Sequence, residues 1–182
     1  MTYPGGRRRI DRVLAEGFLD GIEERSLDEL RAMRADAEQE EADLSYIRRL
    51  IQGRIDIVRA ELSRRESGST GSIIDDLPRI LAEEGRPEAR GMGRHSVLEP
   101  SRVDEHRRYV EALVADVGIS DVLARTDDEL RAALQTLEGE ENKVSGDRRQ
   151  VQHVMDTCAA EMTRRYRDGD AGVEALLPSD AG

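Results

Sequence analysis

The 182-residue chain has no tryptophan, one phenylalanine and four tyrosines, which excludes the broad, aromatic-filled interior of a thick globular domain. Apolar and charged residues each make up 37% of it, so any core must be thin. Its single cysteine, Cys158, rules out an internal disulfide, and its place in an apolar register reads as a small buried hydrophobe. No apolar run is long enough to span a bilayer, and MTYPGGRRRI at the N-terminus has charge but no apolar stretch behind it; a cytoplasmic location is expected. An excess of basic residues is also missing. With 28 Lys and Arg against 39 Asp and Glu, the net charge of -11 opposes direct DNA or RNA binding and suits a basic protein partner. His95, His106 and His153 are scattered without metal-ligand spacing, and there is neither a GxxxxGK[ST] loop nor a nucleophile elbow. Neither an enzyme nor a metal site is expected.

Arg, Glu, Ala and Leu are abundant, which suits long helices touching along narrow seams and predicts an all-α fold. The chain also repeats itself. Residues 26–65 align without a gap on 126–165 and are identical at 17 of 40 positions. Upstream, Ile10, Val13, Leu14, Leu19 and Ile22 have the apolar counterparts Val110, Leu113, Val114, Ile119 and Val122. The repeat unit is thus a short helix followed by a long one. Ser26-x-x-Glu29 and Thr126-x-x-Glu129 are capping boxes that start the long helices. Behind each runs a seven-residue apolar row: Leu30, Ala37, Leu44, Ile51 and Val58 in the first copy, Leu130, Leu137, Val144, Val151 and Cys158 in the second. Such spacing predicts a coiled-coil seam, widened by Ile55, Leu62, Met155 and Met162 and weakened locally by Gly53, Gly139 and Gly146.

The expected architecture is a long coiled-coil helical hairpin with short additional helices. The first repeat covers 7–66 and the second 103–167, joined by a linker over 67–102, with disordered tails at 1–6 and 168–182. Within the linker, IIDDLPRILAEEG (73–85) reads as a short helix and RPEARGMGRHS (86–96) as a loop. An antiparallel pair is preferred, because each polar motif described next lies near the middle of its helix; a parallel pair would align the motifs too.

In a repeated coiled coil the seam should be the best-kept part, yet here the seam residues drift and a polar set does not. Glu41, Ser45, Arg48, Gln52 and Asp56 recur as Glu141, Ser145, Arg148, Gln152 and Asp156. At 100° per residue the five positions fall within an arc of roughly 80°, along about 22 Å of helix beside the apolar row. A solvated face held by i,i+3 and i,i+4 pairs has no need of Ser and Gln at matched places in both copies, so the stripe reads as a binding site. Arg pairs bidentately with phosphate or with guanine O6 and N7, and also stacks on a base. Asp or Glu accepts from guanine N1–H and N2–H2, Ser permits close approach, and Gln both donates and accepts. The set suits a guanine and phosphate reader, without catalysis.

The doubled Glu-x3-Ser-x2-Arg-x3-Gln-x3-Asp signature, complete at ten of ten positions, resembles that of RsiG, the actinobacterial cyclic di-GMP-dependent anti-sigma factors, as does EEADLSYIRRLIQGRIDIVRAE around the first copy. The resemblance implies a helical coiled coil that binds a dimer of cyclic di-GMP through its motif helices and, so loaded, sequesters the sporulation sigma factor WhiG. Arg48, Arg49, Arg148 and Arg149 would then meet the ligand phosphates. Gly146 and Asp147 replace Tyr46 and Ile47 beside the second motif, which sets the two copies apart. Ile10, Val13, Leu14, Phe18, Leu19, Val110, Leu113 and Val114 are candidates for sigma contact or, alternatively, for capping the chain's own helices. A coiled-coil adaptor without a nucleotide ligand is the other reading of the whole.

Overall fold

The computed structural model describes residues 8–68, 99–116 and 121–169. The helix expected over 73–85, the loop over 86–96, Ile119 and the tails, apart from residues 168 and 169, lie outside these described residues. Within them the chain is all-α: α1 (Arg9–Val13), α2 (Leu27–Glu66), α3 (Val103–Asp116), a 3-10 turn (Val122–Ala124) and α4 (Asp127–Asp168). The long helices begin where the capping boxes predict. The Ser26 N–H donates to Glu29 at 2.7 Å and the Glu29 N–H to Ser26 Oγ at 3.2 Å; Thr126 and Glu129 repeat this at 2.8 and 3.3 Å. Those bonds to the cap backbone hold both glutamates below their usual pKa.

The described residues fall into two compact units, 8–41 with 147–169, and 42–68 with 99–116 and 121–146. In the first, the N-terminal part of α2 pairs with the C-terminal part of α4: Arg31 meets Tyr166, and Glu41 meets Arg148. Leu30, Ala37, Val151 and Cys158 of the heptad rows are buried here together with Met33 and Val154. Burial pushes the Cys158 thiol pKa up. In the second unit, Gln52, Arg59 and Glu66, ascending α2, meet Glu141, Glu138 and Arg131, descending α4. Leu44, Ile51, Val58, Leu130, Leu137 and Val144 fill its seam, with Ile47, Ile55 and Leu62 beside them. The pairing is antiparallel in each unit. Met155 and Met162, expected to widen the seam, are only half-buried. Both helices run unbroken through Gly53, Gly139 and Gly146, because seam burial of about 1.5–3 kcal/mol per large aliphatic exceeds the cost of a helical glycine, about 1 kcal/mol.

The short helix of the first copy is only five residues long, whereas its counterpart α3 has 14. Gly17 (φ +86°) and Gly21 (φ +63°) take the left-handed conformation, so the stretch after Val13 proceeds through successive turns. Of the residues weighed for sigma contact, Ile10, Val13, Val110 and Val114 are buried inside the chain, and Leu14, Phe18, Leu19 and Leu113 are half-buried. The capping role therefore holds for the four buried ones.

Each unit also carries an arginine clasp. In the second, Arg65 at the end of α2 donates to the Arg125 carbonyl at 2.6 Å, to those of Val122 and Leu123 at 3.3 Å, and to Asp127 at 2.9 Å. Fully buried Glu61 backs it at 2.5 Å and also takes two bonds from Arg64 at 2.8 Å. In the first unit, Arg165 donates to the carbonyls of Ile22 and Glu23 at 3.0 Å and to that of Arg25, backed by Glu161 at 2.7 Å. Each clasp therefore ties the end of one long helix to the segment that starts the other.

Two stability predictions follow from this packing. Gly139 is exposed, and among the described residues nothing lies within 4 Å of where a Cβ would sit. Gly139→Ala is expected to stabilise the chain by about 0.5–1 kcal/mol, read from its urea midpoint. Hydrogen bonds from Arg164 and Arg165 lower the Glu161 carboxyl from 4.5 to about 2. The unfolded chain therefore takes up this proton first as the solution is acidified, and the stability that Glu161 gives near neutrality is lost between about pH 4.5 and 2. Glu161→Gln should be less stable at pH 7 and fall less steeply across that window in thermal melts.

Candidate functional site

The motif residues assemble into two clamps, one in each unit, and each clamp draws on both long helices. In the second unit, α4 presents Glu141 and α2 presents Arg48 and Gln52. Gln52 Nε2 donates to Glu141 Oε1 at 3.3 Å, Arg48 Nη1 lies 3.5 Å from the same oxygen, and Ser145 Oγ donates to it at 2.9 Å. In the first unit the roles are exchanged. Here α2 presents Glu41, and the α4 residues Arg148 and Gln152 donate to its Oε1 at 2.8 and 3.3 Å. The i,i+4 spacing of Arg and Gln puts both donors on one face, so a single carboxylate from the neighbouring helix meets them together.

The clamps are not equally tight. Arg148 makes a short charge-assisted bond through Nε, whereas the Nε of Arg48 is buried and has no hydrogen-bond partner among the described residues. An orphaned guanidinium N–H beside a carboxylate already shared by three donors is a donor available to an anionic ligand. The divergent second copy thus supplies the better-engaged arginine.

Asp56 is half-buried with Arg59 at 4.0 Å, and Asp156 is exposed. Ser45 offers its carbonyl to the exposed Arg49 at 3.2 Å; Arg149 is exposed as well. His153 is exposed and His95 lies outside the described residues.

His106 belongs to an anchor that repeat comparison misses, since Asp43 has Lys143 as its counterpart. Asp43 is buried and accepts from the Ser101 N–H and Oγ, both at 2.5 Å, with His106 Nε2 at 3.7 Å. Burial pushes its carboxyl up, but the nearby His106 imidazole and the hydrogen bonds from Ser101 prevail and hold it below its usual value. Tyr46 fixes the next turn by accepting from Arg107 at 3.2 Å. These residues seat α3 beside the motif of α2. Only the entry sequence of α3, which has no equivalent in the first copy, could have signalled them.

An RsiG-like family model matches residues 16–81 and 116–179, well over half the chain and both motif helices. The chain belongs to the RsiG-like family. With membership comes a regulatory anti-sigma role, and a sigma factor as partner. No curated protein matches the chain. Among the described residues, no helix is long and apolar enough to cross a membrane.

The main departure from repeat symmetry in the first unit is chemical. Asp147 stands where the other copy has buried Ile47, and burial raises its carboxyl above the ordinary 3.8. The folded state binds this proton more tightly than the unfolded one, so Asp147 costs stability as pH rises through and beyond that value. Asp147→Asn is expected to raise the melting temperature at pH 7, with the gain vanishing below about pH 3.8.

Proposed function

We propose that the chain is an anti-sigma factor that binds cyclic di-GMP, as a dimer, through its two motif helices and in that state sequesters a WhiG-type sporulation sigma factor to block transcription. The observation that carries this reading is the crossed clamp. Each holds a carboxylate of one helix against an arginine and a glutamine of the other. These are the groups that read a guanine and a phosphate. In the free chain Glu41 and Glu141 occupy the donors. A ligand phosphate takes the carboxylate's place on Arg148 or Arg48, and the released carboxylate accepts from guanine N1–H and N2–H2. Charged pairing is exchanged for charged pairing, which keeps the desolvation cost low.

Because every clamp spans two helices, a bound ligand links them, and its differential affinity shifts the population toward the paired state. The ligand phosphates add to an already acidic chain of net charge -11. The loaded protein therefore opposes the basic surface that a sigma factor presents to DNA and polymerase.

Calorimetry tests the reading. The wild type is expected to bind cyclic di-GMP and to ignore cyclic di-AMP, whose adenines lack the N1–H and N2–H2 donors. Loss of a charged hydrogen bond costs about 1.5–3 kcal/mol, so Arg48→Ala with Arg148→Ala should weaken binding by at least about tenfold. No wild-type binding, or unchanged affinity in the double variant, would leave the coiled-coil adaptor as the better account.

A further inference from the structure

The two repeats pack their upstream helices differently. In the first, the α1 residue Val13 is buried beside α2, Met33 is buried, and Arg12 bonds Asp36 at 2.7 Å. In the second, Ala112, Ala133 and Thr136 occupy the positions of Arg12, Met33 and Asp36. The bulk and the ion pair are both gone. What remains is an open groove of about 460 Å³ between α3 and α4, with Leu113 and buried Ala133 at its base and Thr136, Asp116, Glu129 and Arg125 around it. Arg125 is turned onto Glu129 at 3.4 Å, which leaves Asp116 to set an acidic rim.

Two residues before Arg125, Leu123 is 54% exposed, the one exposed large hydrophobic among the described residues. Its position is fixed, since Arg65 holds its carbonyl and that of Val122 at 3.3 Å. The first copy has Glu23 at this position. Groove and exposed leucine therefore occur together in the second repeat, where the first has Met33, the Arg12–Asp36 pair and Glu23.

We propose that this groove is where the sigma partner docks, taking a large apolar side chain from a basic amphipathic helix whose neighbouring apolar residue covers Leu123. The apolar floor selects the anchor, and the acidic rim, in a chain of net charge -11, selects the cationic face around it. The docking rests on the anti-sigma reading but not on the clamps, since no groove residue belongs to them.

Ala133→Met refills the groove with the residue the other repeat already buries, and Ala132→Trp blocks its exposed wall without entering the core. Each full-length variant is titrated with purified WhiG-type sigma factor at saturating cyclic di-GMP, alongside cyclic di-GMP calorimetry and a thermal melt. The expected result is sigma binding weakened at least about tenfold by either variant, with cyclic di-GMP affinity within twofold of wild type and an undiminished melting temperature. Sigma affinity unchanged in Ala132→Trp overturns the docking site and leaves the function intact, even where Ala133→Met fails to fold. If the wild type binds sigma without cyclic di-GMP binding, and the variants weaken it, the groove stands and the ligand reading falls. If the wild type captures no sigma factor, both fall.

Discussion

A carboxylate with no exposed surface governs the register of this protein. Glu61 fixes the guanidinium of Arg65, and Arg65 holds the carbonyls just before α4 begins. Glu161 and Arg165 do the same for the segment before α2. Those carbonyls precede a capping box, so a clasp fixes where the neighbouring helix starts and hence which residues of the two helices face each other. A seam made mostly of Leu, Val and Ile tolerates sliding by a heptad; an arginine aimed at several carbonyls does not. The crossed clamps depend on that register, because one heptad of slippage would move Glu41 about 10 Å from Arg148.

The clasp also explains why the seam is free to drift in sequence. Ala37 faces its place in the core as well as Leu137 does, and Cys158 as well as Val58. Apolar packing asks for volume and pattern, and many combinations supply them. The clasp and the clamps ask for particular atoms at particular angles, so Glu61, Arg64, Arg65 and the motif residues recur unchanged.

Much of the fold was legible in the sequence, for this reason. Seven-residue spacing marked all ten seam residues that are now buried, and the hydroxyl and glutamate pairs marked both long-helix starts. The matched polar residues were legible as a stripe, but a helical wheel shows one helix at a time. That Glu41 and Glu141 face the other copy's Arg and Gln depends on antiparallel register, which is a tertiary property. The clasp was visible as identity yet had no pattern announcing its partners, which are backbone carbonyls far along the chain. The brevity of α1 escaped because apolar spacing from Ile10 to Ile22 is that of a longer helix, whereas the chain leaves the helix at Leu14 and then turns through Gly17 and Gly21 at positive φ.

Cys158, set at full burial in the seam, gives the chain a built-in clock. A thiol at that position, its ionisation opposed by burial, meets a reagent only when α2 and α4 separate locally. Alkylation of a single atom thus counts opening events in the first unit, with no competing cysteine to correct for. Anything that links the two helices slows that clock, and anything that loosens them speeds it. The protein's only sulfhydryl converts helix pairing into a rate.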